Sequence, residues 1–394
     1  MNDIGINLVE VKEYNRALIM QLICTNNAPT RNFLAQKSSL TKMTLTNITN
    51  SLMKKGLIQD ADYVEPSHDH TIKPGRNPKT LELAPNSPLV VGIWVSKGFL
   101  YGVITDLKLN ALTASRIDFS KDETPDTVIE KLVDLAHFLT SYSERPILGL
   151  GLSAIGVINS QDGIMENVIN FFGVNNLPLK DILEKELNIP VFVKNDMQAA
   201  ALCELYYGFG KTKDNFIYLG LGSGVGAAAV TGRKLLNVTT GAFGEVGHLS
   251  IDYNGPECTC GSRGCLELYA NCNNITEQIN KMCETNFPTF REAMAYSELN
   301  AVADSTLRCT LDKLSYGLNS LVNILGIHDV IIGNTGYFIP DKSIKYLESN
   351  INAISVLGKS REIKIHKSSF DVNAPLFGAA CIVLDQLFSG QLPL

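Results

Sequence analysis

Three cysteines fall within eight residues, Cys258-Thr-Cys260-Gly-Ser-Arg-Gly-Cys265, and His248 stands ten residues ahead of the first. Three thiolates on a glycine-bent loop and one imidazole can close a tetrahedral Zn2+ site of the Cys3His type. With no coordination position left open, such a zinc would be structural, cross-linking the His248 loop to the cysteine loop. The alternative is three free thiols on a flexible loop. The chain has nine cysteines, an odd number, and their crowding fits metal ligation in a reducing cytosol better than a disulfide framework.

A second group of residues suits a polyhydroxylated ligand. Lys194-Asn195-Asp196 stands where a strand gives way to a helix. A carboxylate there is favoured in its ionised form by the helix dipole, and it can accept a proton or a hydrogen bond from a hydroxyl. The same residues also read as a plain helix cap. Gly222-Ser-Gly224-Val-Gly226 lies between two apolar runs. Closely spaced glycines let backbone N–H groups approach an anion, although a tight β-hairpin turn has the same composition. Glu245, His248 and Glu267 place two carboxylates and an imidazole near the cysteine loop. Acids and His in a cleft can hold sugar hydroxyls in defined geometry; solvated loop acids are the plainer reading.

These residues need a scaffold, and its pattern is legible from Leu89 onward, where β-rich apolar runs alternate with amphipathic helices in an α/β arrangement. Predicted strands are Val90–Val95, Leu100–Thr105, Ile147–Ala154, Val191–Val193, Phe216–Leu219, Ala227–Val230 and Val330–Ile332. Predicted helices are Pro125–Ser141, Leu179–Glu186, Asp196–Tyr207 and Leu307–Leu325. Residues 61–88 hold five of the 15 prolines and one alternating run, Thr80-Leu81-Glu82-Leu83, which reads as a hairpin and linker.

The first 60 residues differ from the rest. They carry seven Lys/Arg against four Asp/Glu, a charge of +3 in a chain of −6, which leaves −9 for the remainder. A basic head on an acidic body points to a polyanion met by the head alone. Tyr14–Thr25 has an apolar stripe at Ala17, Leu18, Leu22 and Ile23, and Thr30–Gln36 follows as a second helix. Lys37-Ser38-Ser39-Leu40 makes a polar turn, and Thr41 can cap a third helix with Leu45, Ile48 and Leu52 on one face. Gly56 ends it. Helix, turn, helix, strand and hairpin is the winged helix-turn-helix order. Thr41, Lys42, Thr44, Asn47 and Ser51 on the third helix are the predicted major-groove residues, with Lys73, Arg76 and Lys79 of the hairpin on the backbone or minor groove. A helical protein-binding module of the same fold is the alternative. The N-terminus bears acids where a secretory leader has basic residues, and the apolar stretch Phe216 to Val230 is too glycine-rich to span a bilayer, so a cytoplasmic protein with no membrane contact is expected.

Taken together, Glu245-Val-Gly-His248, the CTCGSRGCLE run, Asn195-Asp196 and the LGSGVGAAA loop resemble the ROK family of repressors, open reading frames and kinases, in order and approximate spacing over nearly the whole chain. The head and the GRNPKTLEL segment are similar to that family's repressor branch. The resemblance implies a winged helix-turn-helix over residues 1–84 and, over 85–394, a two-lobed α/β body of the actin-like ATPase (hexokinase) type. It further implies sugar contacts from Asn170, Asn195, Asp196, Glu245, His248 and Glu267, with Asp196 matching the kinases' catalytic base. His248, Cys258, Cys260 and Cys265 match the family's zinc ligands. One His ring nitrogen can serve the metal while the other donates to a hydroxyl.

The departures are as informative. Family kinases open the body with an Asp-x-Gly-Gly-Thr phosphate turn. Here Trp94 stands at the Asp, Ser96-Lys97 at the glycine pair, Gly333-Asn334 at a late glycine pair, and Val238 at a usual glycine. Side chains at these places block close backbone approach to phosphate and remove a Mg2+ carboxylate. The expectation is a non-enzymatic, sugar-responsive repressor that binds operator DNA as a homodimer or homotetramer. Its rivals are an active sugar kinase and a regulator whose body docks a protein partner.

Overall fold

The computed structural model describes residues 7–62, 79–168, 171–236 and 244–393. The head comprises helices α1 (Leu8–Thr25), α2 (Arg31–Ser38) and α3 (Lys42–Lys54), followed by strands β1 (Ile58–Ala61) and β2 (Thr80–Leu83). Thr30 caps α2 by accepting from the Phe33 N–H, and Thr41 caps α3 by accepting from the Thr44 N–H. Each such cap contributes about 1 kcal/mol. Lys37 and Ser38, expected in the turn, extend α2 by two residues, and Ser39 makes the turn with a left-handed φ of 57°. Gly56, at φ 69°, follows the last turn of α3, where a side chain would be strained. β1 and β2 pair antiparallel from Ile58↔Leu83 to Ala61↔Thr80. The predicted wing residues Lys73 and Arg76 lie outside the described residues.

The first lobe of the body runs β3 (Leu89–Val95), β4 (Phe99–Thr105), β5 (Ala111–Asp118), α4 (Pro125–Thr140), β6 (Ile147–Ala154), β7 (Ile158–Asn159), β8 (Ile164–Asn167), β9 (Asn175–Pro178), α5 (Leu179–Leu187), β10 (Val191–Asn195) and α6 (Asp196–Tyr207). The second runs β11 (Phe216–Leu221), β12 (Val225–Thr231), β13 (Lys234–Leu235), α7 (Glu267–Ala270), α8 (Cys272–Cys283), α9 (Phe290–Ser297), α10 (Ala301–Leu325), β14 (Asp329–Gly333), α11 (Asp341–Ile354) and β15 (Lys364–Lys367). Helix α12 (Ala374–Phe388) then returns to the first lobe. Among the described residues each lobe carries a five-stranded sheet, in the orders β10-β6-β3-β4-β5 and β13-β12-β11-β14-β15. The antiparallel strands of each sheet are hairpin neighbours, and the parallel pairs β3·β6, β6·β10, β11·β14 and β14·β15 are joined by helical crossovers.

Helix α12 is apolar except at Asp385 and Gln386 near its end and is almost wholly buried. It lies against the first sheet so closely that a Cβ on Gly151 would stand 1.9 Å from the Ala379 carbonyl oxygen, and one on Gly92 2.5 Å from the Ala380 nitrogen. Only glycine permits that approach. The expected stripe on α1 is displaced: Ala17, Ile19, Met20, Ile23 and Cys24 are buried, whereas Leu18 and Leu22 are half-buried. The reason is that α1 has two partners. It packs against its own head and against the body, sharing one apolar cluster with Leu107, Leu109, Phe388 and Leu392. Lys211, in the connection between α6 and β11, donates to the Thr25 carbonyl at its end. Among the described residues no helix is long and apolar enough to cross a membrane.

Candidate functional site

Asp196 opens α6 at the junction of the lobes. Asn195 is the N-cap: its Oδ1 accepts from the Met197 N–H at 2.9 Å, while its Nδ2 donates to the Gly156 carbonyl at 3.0 Å. Its side chain is thus committed to holding the strand-to-helix switch, as the capping reading expected. Met197 then packs beneath the second sheet, where a Cβ on Gly220 would meet its Sδ at 2.1 Å and one on Gly226 its Cγ at 2.9 Å. The missing side chains let the helix start sit against β11 and β12. The glycine-rich segment itself is a hairpin turn, with Leu221 paired to Val225 and the Gly222 N–H donating to Gly224.

Asp196 is 8% exposed, and burial raises its pKa to about 7 from an ordinary 3.8. The Met197 N–H opposes that shift, the Glu245 charge adds to it, and the Trp94 indole opposes it. Glu245 reaches solvent at the rim, but protein surrounds it closely enough for burial to hold its pKa above the carboxylate range. His248 opposes that shift and Glu267 reinforces it. Asp196, Glu245, His248 and Glu267 are therefore close enough for their charges to act along one chain. One Glu267 oxygen, Oε2, accepts from the Val225 N–H at 3.1 Å and so also braces the glycine turn. Asn170 lies outside the described residues.

Three side chains near Asp196 with covered polar atoms were not anticipated as sugar-site residues. Ser153 Oγ and both carboxamide atoms of Gln198 have no hydrogen-bond partner among the described residues, whereas the Trp94 indole N–H makes no other bond but stands close enough to Asp196 to favour its carboxylate. Trp94 and Ser153 are cross-strand neighbours on β3 and β6, in line with Lys194 on β10. A buried polar group left unbonded costs about 1–3 kcal/mol, so these covered atoms are a local cost to the fold beside Asp196. The sequence signal was faint: a Gln within Met-Gln-Ala-Ala-Ala. Trp94 packs edge-on against Phe99 at 5.0 Å, with Arg116 over the other ring at 3.8 Å. Ser96 donates from its N–H to the Phe99 carbonyl, making residues 96–98 a tight hairpin turn. At the late glycine pair, Asn334 has φ 55° and accepts from the Tyr218 hydroxyl at 3.0 Å. Val238 lies outside the described residues.

His248, Cys258, Cys260 and Cys265 converge, with all ligand atoms within 4.8 Å of one another. Cys258 Sγ stands 3.7 Å from His248 Nδ1, and Cys260 Sγ 3.6 Å from Cys265 Sγ. A tetrahedral ion with bonds of about 2.3 Å has ligand–ligand edges of about 3.8 Å, so these separations fit a metal of zinc's size. The cluster bridges the His248 turn and the loop leading into α7, the elements that carry Glu245 and Glu267.

On α3, Lys42 and Asn47 are exposed, whereas Thr44 and Ser51 are half-buried flanks. Thr41 is exposed and spends its hydroxyl on the cap. The outward face centres on Met43, Thr46, Asn47, Asn50 and Lys54, so Asn50 and Lys54 belong to the candidate surface that the sequence reading left out. A stricter count at 100° per residue would have found them.

The Bacillus subtilis protein named xylose repressor is 28% identical over 387 residues, covering 95% of this chain and 96% of its own. A crystal structure of a ROK family transcriptional regulator, titled a homologue of the Escherichia coli MLC protein, superposes with a TM-score of 0.81 at 24% identity. It covers 97% of this chain and 98% of its own. A Streptomyces griseus ROK glucokinase solved with glucose and AMPPNP gives 0.67 at 20% identity, over 74% of this chain and 98% of its own. The ROK family profile matches residues 91–386, and the chain belongs to the ROK family.

Proposed function

We propose that this protein is a sugar-responsive, DNA-binding transcriptional repressor of carbohydrate-utilisation genes, with the head (residues 1–84) reading DNA and the body sensing sugar. One observation carries the reading: the helix that supports the head, α1, shares its apolar cluster with the body helices α6 and α12, and α6 bears Asp196 at its start. The reader and the cleft are thus mechanically continuous.

In this reading the outward face of α3, with Lys42 and Asn47, enters the major groove, flanked by Thr41, Thr44 and Ser51, while Lys73 and Arg76 grip backbone. A homodimer or homotetramer would match a two-fold operator. Asp196, Glu245, His248 and Glu267 hold sugar hydroxyls, with Asn170 and Asn195 beside them. His248, Cys258, Cys260 and Cys265 would hold a structural Zn2+, which pins together the loops carrying Glu245 and Glu267 and supplies no reaction chemistry. Trp94 and the side-chained turn after it stand against ATP binding, so the body senses without phosphorylating. Sugar releases DNA only if it binds the DNA-free arrangement better, because equal affinity shifts nothing.

The test is fluorescence anisotropy of labelled operator DNA titrated with a sugar panel. Xylose comes first, because the Bacillus subtilis relative bears its name. Loss of operator affinity with one sugar, absent in Asp196→Ala, supports the reading, and an unchanged affinity with every sugar overturns it. A coupled assay that finds phosphorylated sugar would instead establish a kinase.

A further inference from the structure

A cavity of about 360 Å³ opens on the first lobe beside β10, apart from the cleft. β10 pairs with β6 alone among the described residues, so its outer edge is free to border it. Two lysines line the cavity, Lys180 at the start of α5 and Lys194 on β10. Neither has an ion-pair partner among the described residues, and no carboxylate lines the space. Asp385, on which the Lys194 charge acts, does not line the cavity; its carboxylate accepts from the Tyr206 hydroxyl at 2.7 Å, and burial raises its pKa.

The rest of the lining is built for hydrogen bonds. Ser160 is a lining residue, and its Oγ, covered in this arrangement, has no partner among the described residues and would reach a ligand by rotating about χ1. Gln161, Gln386 and Gln391 border the same space, and Phe192 and Ile382 supply an apolar wall. Two unpaired cations with neutral donors and no competing acid form the pattern that holds a small dianion. Lysine binds phosphate as a point charge, whereas planar carboxylates favour the arginine fork, which is absent from this lining. Half-buried charges are also screened less by salt than exposed ones.

We propose that this cavity is a second ligand site, for a small phosphate monoester, held by Lys180 and Lys194 with Ser160 and the glutamines around it. It rests on nothing in the sugar reading. Its wall is also close to the head. The Gln391 and Leu392 N–H groups both donate to the Gln386 carbonyl, and a Cβ on the intervening Gly390 would lie 3.8 Å from Ala17 Cβ of α1.

The experiment is calorimetric titration of the full chain with glycerol 3-phosphate, with glycerol as the uncharged control and phosphorus NMR line-broadening as a readout independent of heat. Saturable binding is expected. It should weaken about tenfold in Lys180→Met and in Lys194→Met, which keep the apolar stems, and stay unchanged in Asp196→Asn. In the wild-type chain the ligand should also protect Lys180 and Lys194 from acetylation, a readout that needs no variant. Equal binding of inorganic phosphate assigns recognition to the phosphate alone, and weaker binding adds the Phe192 wall; both support the site. No saturable signal up to roughly 10 mM, or binding retained when both lysines are replaced, overturns it.

Discussion

Replacing Asp196 by Asn should make the ligand-free protein more stable, and more so as the pH rises. Burial raises the Asp196 pKa to about 7 from 3.8. An acid whose folded pKa is raised costs nothing below its unfolded pKa, because both states are then neutral. Between about pH 3.8 and 7 the unfolded chain ionises and the folded chain does not, so stability falls as pH rises; above about 7 both are ionised and the full cost remains. The shift is roughly 3 units at about 1.4 kcal/mol each, a cost of about 4 kcal/mol at pH 8 and about 2 kcal/mol at pH 5.5. Asn keeps the shape and cannot ionise, so it is relieved of that cost. For a body of roughly 300 residues, unfolding entropy near 2.1 cal/mol/K per residue converts these values to Tm gains of about 6 °C and about 3 °C.

The assay is calorimetric melting of wild type and Asp196→Asn without sugar at the two pH values, followed by the same pair with saturating sugar. The variant should gain more at the higher pH and lose the sugar-induced Tm rise, which marks a carboxylate kept for binding at the expense of stability. A Tm difference independent of pH would refute the argument, since it would mean that Asp196 ionises in the folded chain as readily as in the unfolded one.

Other expectations follow from the remaining geometry. Chelation of metal, or Cys265→Ser, should lower Tm and abolish sugar binding together, because the same cluster braces the Glu245 and Glu267 loops; sugar binding that survives a verified metal loss in an element assay would contradict this. Asn47→Ala on the exposed face of α3 should weaken operator binding by about 1–3 kcal/mol in anisotropy titrations without changing Tm, whereas Leu45→Ala, buried beneath it, should lower Tm. Trp94 is the sole tryptophan and its indole acts on Asp196, so sugar bound there should shift intrinsic fluorescence, and a silent titration at saturating sugar would place the ligand elsewhere. Gly151→Ala should cost about 3 kcal/mol or more, read as a large fall in Tm, because its Cβ would meet the Ala379 carbonyl.

Much of the scaffold was legible because local rules suffice where an element is amphipathic or capped. Thr41 and Gly56 mark the limits of α3, strand β6 coincides with its apolar run, and α6 spans Asp196 to Tyr207 as expected. The thiol cluster was equally plain, since its spacing is short and its donors are chemically distinctive. Helix α12 escaped detection because it is buried on nearly every side, and Asp385 and Gln386 alone are too few polar positions to set a period. Strand β5 and helices α8, α9 and α11 were also left unassigned. The outward face of α3 was less legible for a related reason: Thr44 and Ser51 are polar residues on the flank of a buried stripe.

By itself the chain determined which residues cap, turn, ligate and carry charge, because those properties belong to single side chains and their near neighbours. Tertiary structure alone decided that α1 has two partners, that Asn195 is spent on Gly156 and its own helix, that Asp196 loses its water and with it some three units of acidity, and that Lys180 and Lys194 share an acid-free cavity. Burial and electrostatic neighbourhood are set by residues far apart in sequence, and no local pattern records them.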